Sequence, residues 1–191
     1  MAKDESQGRI PLLEREQVSS DLQALYDALI KQRGVVPNMF KTVAHVPALA
    51  IGFASLLKPL LSDGALPGWY KELIATRMSV LLGSRYAIAG HAASARKKGA
   101  SEEQIEAVRA DFAAGPFTHK EKLGLRCADH LHHSAQDITD DFFAELKTEF
   151  TEPQIVELIA AASVFEFFPR FVDALQIPVT PAPTRSGGQA E

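Results

Sequence analysis

A single cysteine, Cys127, in 191 residues removes whole classes of chemistry. One thiol closes no intrachain disulfide and runs no intrachain dithiol cycle, which fits a chain made for a reducing cytoplasm. Long apolar runs are scarce as well. The most apolar stretch, Val43 to Leu61, is broken by His45, Pro47 and Lys58, so no membrane span is expected. The N-terminal MAKDESQGRIP lacks the apolar core of a signal peptide. Nor is there an excess of charge of one sign. The 20 basic and 24 acidic residues are dispersed, with a net charge of -4 and no Lys/Arg block to follow a phosphate backbone, so nucleic acid is not an expected partner.

What the sequence does have is helical punctuation. With 46% hydrophobic residues, the chain is long enough to bury a substantial core. Residues 1–8 are polar and 179–191 are rich in Pro, Gly and Ser, so both are expected to be flexible tails around one helical domain, 9–178. Ser20 with Gln23, Ser101 with Gln104, Thr118 with Glu121 and Thr151 with Gln154 have the spacing of capping boxes. Gly34, Gly64, Gly83, Gly99 and Gly115 each follow an apolar-periodic stretch and read as helix stops in the left-handed conformation. The pattern predicts an all-α fold with helices near 20–33, 47–62, 68–82, 85–98, 102–112, 119–135, 139–148 and 152–175. Cys127 shares one face with Gly124, Ala128, Leu131 and Ala135, and is expected to be buried and inert. The tetrapeptide ELIA occurs at 72–75 and 157–160, and an Arg follows each copy at the same offset, Arg85 and Arg170. This suggests a duplicated unit spanning 68–98 and 152–178.

The stretch with chemical content runs from Lys71 to Val108. It reads as a helix, a Gly83-Ser84 break, a second helix ending at Gly99 and the capped start of a third. Ser84, Ala87, Ile88 and His91 recur at helical spacing and should face the same way. If the two helices fold back as a hairpin, the carboxylate of Glu72 meets the imidazole of His91.

These residues resemble the carboxymuconolactone decarboxylase family, which includes alkylhydroperoxidase D. The motif of its peroxidase branch is a Glu, a Cys-x-x-Cys twelve residues later and a His four residues after the second Cys. Here Glu72 and His91 stand at the outer positions, Tyr86 lies within the motif, and Ser84 and Ala87 occupy the cysteine positions. ARKKG and SEEQIEAV continue the likeness, and RIPLLEREQ, VPNMFKTVAHVPAL and the C-terminal half extend it over most of residues 9–178. The resemblance implies an alkylhydroperoxidase D-like helical fold that forms homo-oligomers, commonly trimers or hexamers. It also implies a small-molecule substrate and no cofactor. A serine and an alanine cannot run the peroxide-reducing dithiol cycle. The decarboxylase branch needs no redox cysteine and acts on an activated carboxylated lactone from aromatic-ring breakdown. On that reading His91 transfers the proton, Glu72 orients or recharges it, and Arg85 grips a substrate carboxylate through two parallel hydrogen bonds. Tyr86, Ser84 and Phe40 complete the expected substrate site.

Each of these residues also has a plain structural reading. Glu72 suits a first helical turn, His91 a satisfied core position, Ser84 an N-cap, Tyr86 packing and Arg85 a solvated surface. PNMF, 37–40, reads equally well as a turn anchored by Phe40. The DHLHH cluster, 129–133, is not expected to bind metal, because helical geometry turns Asp129 and His133 outward and splays His130 from His132. VFEFFPRF, 164–171, reads as a subunit interface, with Glu166 pairing to Arg170 one turn on. The leading expectation is a cofactor-free decarboxylase or lyase. An antioxidant peroxidase-like protein and a catalytically inert small-molecule-binding oligomer are the alternatives.

Overall fold

Several helix starts in this chain are fixed by side-chain oxygens that replace missing backbone acceptors. In the computed structural model, which describes residues 8–183, Ser101 and Gln104 bond each other's backbone amides, and so do Thr118 and Glu121. Thr139 caps the Phe142 amide at 3.2 Å, and Gln154 accepts from the Thr151 amide at 3.1 Å. The expected box at Ser20 does not form. The N-cap is Ser19, and the Gln23 side chain donates to the Val18 carbonyl at 3.2 Å instead. The resulting elements are α1 (Ser20–Arg33), α2 (Asn38–Val43), α3 (Pro47–Leu61), α4 (Gly68–Leu81), α5 (Arg85–Lys97), α6 (Glu102–Arg109), α7 (His119–His133), α8 (Asp140–Glu149) and α9 (Glu152–Ala174). Two short 3-10 helices, Arg15–Gln17 and Ala135–Asp137, complete them. No strand occurs among the described residues, and the class is all-α as the periodicity predicts. The PNMF segment is a short helix, α2, rather than a turn. No helix among the described residues is long and apolar enough to cross a membrane.

The glycines act in two ways. Gly34, Gly83 and Gly99 adopt positive φ and terminate helices as expected, whereas Gly64 and Gly115 do not. At those two positions a Cβ would collide with the carboxylate of Glu157 and with the Ala107 side chain at 2.5 Å, so close packing is what requires glycine there.

The chain divides into two compact units, one comprising residues 1–55 with 175–191 and the other 56–174. In the first, Arg9 donates to the Leu175 carbonyl at 2.9 Å, and the Asn38 side chain donates to the Pro178 carbonyl at 3.0 Å. The Asn38 amide bonds the Thr180 hydroxyl at 2.9 Å, so the held chain continues past the boundary expected at 178. Residues 1–7 and 184–191 of the expected tails lie outside the described residues.

The second unit is organised around α4, which packs against α5, α6, α7 and α9. Its sequence, GWYKELIATRMSVL, is buried on nearly every face, including two charged residues, Lys71 and Glu72. A charge removed from water must be paired, and both are. Lys71 Nζ donates to Glu157 on α9 at 2.8 Å, and Glu157 also accepts from the Ala65 and Leu66 amides at 3.0 Å each. The buried hydroxyls of Thr76 and Ser79 return to the Glu72 and Ala75 carbonyls at 2.8 and 2.6 Å. Because Lys71 is fully buried, Glu157→Ala is expected to destabilise the protein by about 3 kcal/mol, the penalty for an orphaned interior charge. Urea unfolding measures it, and a loss below about 1 kcal/mol, the level of an exposed pair, would contradict this role.

Candidate active site

The α4–α5 hairpin positions the site. Gly83 at φ 69° turns the chain, and Ser84 then starts α5, its hydroxyl accepting from the Ala87 amide at 3.5 Å and donating to Asp173 at 2.9 Å. Small buried residues on α5, Ala87, Ala92 and Ala95, let it lie close to α4. Glu72 is thereby brought against His91, with Nδ1 of the imidazole 2.7 Å from Oε2 of the carboxylate. The Phe165 ring meets the imidazole edge-on with centroids 4.4 Å apart, which fixes its tilt. The other carboxylate oxygen, Oε1, accepts from Lys98 Nζ at 2.6 Å, and the same ammonium donates to the Leu61 carbonyl at 2.6 Å.

Burial is graded across this cluster. The Glu72 side chain is 1% exposed, His91 17% and Lys98 33%, so the carboxylate sits behind two donors that solvent can reach. Burial by itself would push the Glu72 carboxyl up. The hydrogen bonds and positive charges of His91 and Lys98 outweigh it and hold the group below the usual carboxylate range. An ionised carboxylate only accepts hydrogen bonds, so His91 Nδ1 carries its proton toward Glu72, and Nε2 is the nitrogen that Glu72 does not engage. Such a dyad fixes the tautomer and orientation of an imidazole for acid–base work.

The remaining predicted site residues are placed differently. Ser84 is fully buried, with its hydroxyl committed to Ala87 and Asp173. Arg85 is exposed at the start of α5, and its six-residue offset from His91 puts it about 120° around the helix. Tyr86 is half-buried on α5, and Phe40 is buried at 3% in α2 of the first unit. Lys98 is the residue the sequence reading passed over. Its signal was spacing, since Ser84, His91 and Lys98 follow one another at intervals of seven and so form one stripe along α5 and its end.

The DHLHH residues are engaged separately. Asp129, expected to face outward, receives Arg77 through Nε and Nη2 at 2.7 and 2.8 Å, while His130 lies against the Phe142 ring with centroids 4.6 Å apart. His132 bonds Glu166, which also receives Arg170 at 3.0 Å, one turn on as expected. VFEFFPRF is divided, with Phe165 and Phe168 buried and Phe167 49% exposed. Cys127 is fully buried, and burial pushes its thiol up to about 11.

Residues 47–130 match the carboxymuconolactone decarboxylase family. The uncharacterized protein YdfG of Bacillus subtilis (strain 168) is 27% identical over 90 residues, which are 47% of this chain and 61% of that protein, so the match spans about three fifths of the relative. Among solved structures, the alkylhydroperoxidase AhpD core of an uncharacterized peroxidase-related protein from Ralstonia eutropha JMP134 superposes with a TM-score of 0.84. The two share 20% identity over 91% of this chain and 92% of that one. A peroxidase-related protein from Silicibacter sp. TM1040 gives 0.83 at 18% identity over 92% of both chains. The debrominase Bmp8, as a Cys-to-Ala variant in complex with 2,3,4-tribromopyrrole, gives 0.79 at 22% identity over 91% of this chain and 92% of that one.

Two outcomes follow from this geometry. With its folded value depressed, Glu72 contributes full stability above the unfolded carboxylate range near pH ~4.3 and loses that contribution as pH falls through the lower folded value. Glu72→Gln should therefore flatten the acid limb of the stability profile below about pH 4.3, measured by urea unfolding across pH; superimposable limbs would contradict the pairing. Cys127 should react with an aromatic disulfide reagent only as fast as the protein unfolds, and Cys127→Ser should leave any peroxide consumption unchanged. Rapid native-state labelling would refute its inertness.

Proposed function

We propose, for a chain whose residues 47–130 belong to the carboxymuconolactone decarboxylase family, a cofactor-free acid–base enzyme that decarboxylates or otherwise moves a proton on a small carboxylated or lactone compound. One observation carries this reading: a buried carboxylate, Glu72, orients a partly exposed imidazole, His91, through Nδ1 and does not engage Nε2. In its protonated form His91 donates from Nε2 to a substrate carbon that has gained an electron pair. In its neutral form the same nitrogen takes a proton away. Glu72 holds the ring and offsets the imidazolium charge, while Lys98 keeps the carboxylate ionised in its buried position. Arg85 and Tyr86 at the start of α5 remain the proposed contacts for more distant substrate groups.

One solved neighbour is in keeping with a small cyclic substrate, since the debrominase is in complex with 2,3,4-tribromopyrrole, a five-membered ring. A peroxidase reading has no support from the sulfur in this chain, because Cys127 is buried and Ser84 and Ala87 carry no thiol. The assembly that accompanies the proposal is a cytoplasmic homo-oligomer. Large apolar side chains left exposed on α3, Leu49, Ile51 and Leu56, favour it.

Carbon dioxide release from a panel of small carboxylated γ-lactones tests the proposal. Turnover of at least one member is expected, falling about 100-fold or more in His91→Gln, the scale of a lost general acid. Turnover unaffected by His91→Gln, or no turnover of any member, would overturn it.

A further inference from the structure

Lys98 is built in more tightly than an ordinary surface lysine. An ammonium has three N–H donors, and two of them are spent on Glu72 Oε1 and the Leu61 carbonyl at 2.6 Å each. Leu61 is the last residue of α3 and Lys98 caps α5, so the charge lies at the C-terminal ends of two helices, where their dipoles favour a cation. Two short bonds and two dipoles hold Nζ in place, yet a third of the side chain stays open to solvent. Among the described residues no hydrogen bond takes the third N–H. His91 is bound to the other oxygen of the same carboxylate. His91 and Lys98 are both partly exposed, and the carboxylate they share is buried.

We infer that Lys98 is a catalytic residue of this site, donating its third N–H to the oxygen that becomes negative when a lactone or ketone substrate is converted to its enolate. The inference rests on the acid–base reading above and assigns the oxyanion donor that reading leaves open. The direction of charge movement selects this role over the holding of a substrate carboxylate. A carboxylate that departs as carbon dioxide loses its charge in the transition state, so an ammonium on it would stabilise the ground state and slow the step. An ammonium on the carbonyl oxygen is rewarded only as charge arrives there. In the balanced step the C–CO2 bond breaks, carbon dioxide leaves, and the electron pair moves through the α-carbon onto the carbonyl oxygen at Lys98. The His91 imidazolium then delivers its Nε2 proton to that carbon, regenerating the carbonyl and neutral imidazole, which water reprotonates.

Tetronate, the anionic enol of a five-membered lactone, is the probe, with neutral γ-butyrolactone as its uncharged counterpart. Calorimetric titration of the full chain is expected to show tetronate binding that weakens at least about tenfold in Lys98→Met, the scale of one charge-assisted hydrogen bond, with γ-butyrolactone unaffected by the substitution. Should Lys98→Met lose its fold by circular dichroism, the wild-type protein still reports the contact. With 13C-labelled lysine, the Lys98 Cε resonance should move on addition of tetronate and not of γ-butyrolactone. Equal tetronate affinity in wild type and Lys98→Met, no tetronate binding to wild type, or an unmoved Lys98 resonance would overturn the assignment. Because these readouts need no turnover, their failure is distinguishable from a failure of the lactone panel.

Discussion

An ionised carboxylate that is 99% withdrawn from water, as Glu72 is, carries a desolvation penalty of several kcal/mol unless both of its oxygens are satisfied. Oε2 takes the His91 ring and Oε1 takes Lys98, and each partner comes from α5 or its cap. The interaction therefore ties α4 to the middle and the end of the following helix. It makes the Gly83 turn, the alanine-lined face of α5 and the Lys98 cap into conditions of one another. A slip of one residue in α5 would rotate His91 by about 100° and leave a buried charge unpaired. The same constraint that fixes the hairpin prepares its chemistry, since the carboxylate is sealed inside while its two donors stay within reach of a solute.

The two ELIA glutamates show how context assigns a role. Glu157 pairs with the buried Lys71 and gathers the Ala65 and Leu66 amides, fastening the loop between α3 and α4 onto α9. Glu72, one residue beyond that lysine, supports an imidazole. On adjacent residues of α4, a buried cation meets a carboxylate that also binds loop amides, and a buried anion meets an imidazole and an ammonium. The partners are similarly exposed, 28% for Glu157 against 17% and 33% for His91 and Lys98, so the chemistry of the partner, an imidazole rather than a carboxylate, separates the two.

Much of this arrangement was legible in the sequence, because local chemistry encodes it. The boxes at Ser101 and Thr118, the left-handed stops at Gly34, Gly83 and Gly99, and the apolar stripes of α4 to α9 are short-range signals that tertiary packing did not override. The Glu72–His91 contact was legible for the same reason, as a hairpin with a fixed break pairs positions on facing helices. Missed features depend on distant partners. Helix α2 is only six residues long and begins after a proline, so no periodicity marks it. Asp129 is half-buried because Arg77 on α4 holds it, and Gly64 and Gly115 are glycines because Glu157 and Ala107 crowd them. Lys98 escaped notice because a lysine at a helix end has an ordinary dipole explanation, and only its heptad spacing from His91 distinguishes it.

With Ser84 and Ala87 between Glu72 and His91, the proposed acid–base role turns on which imidazole nitrogen holds the proton. Long-range 1H–15N correlation of the His91 ring reads this directly. For the neutral ring, the account predicts the Nδ1–H form, with the proton shared toward Glu72 and Nε2 bare, and a shift toward the Nε2–H form in Glu72→Gln. An Nε2–H ring in the wild-type protein, unchanged by that substitution, would contradict it.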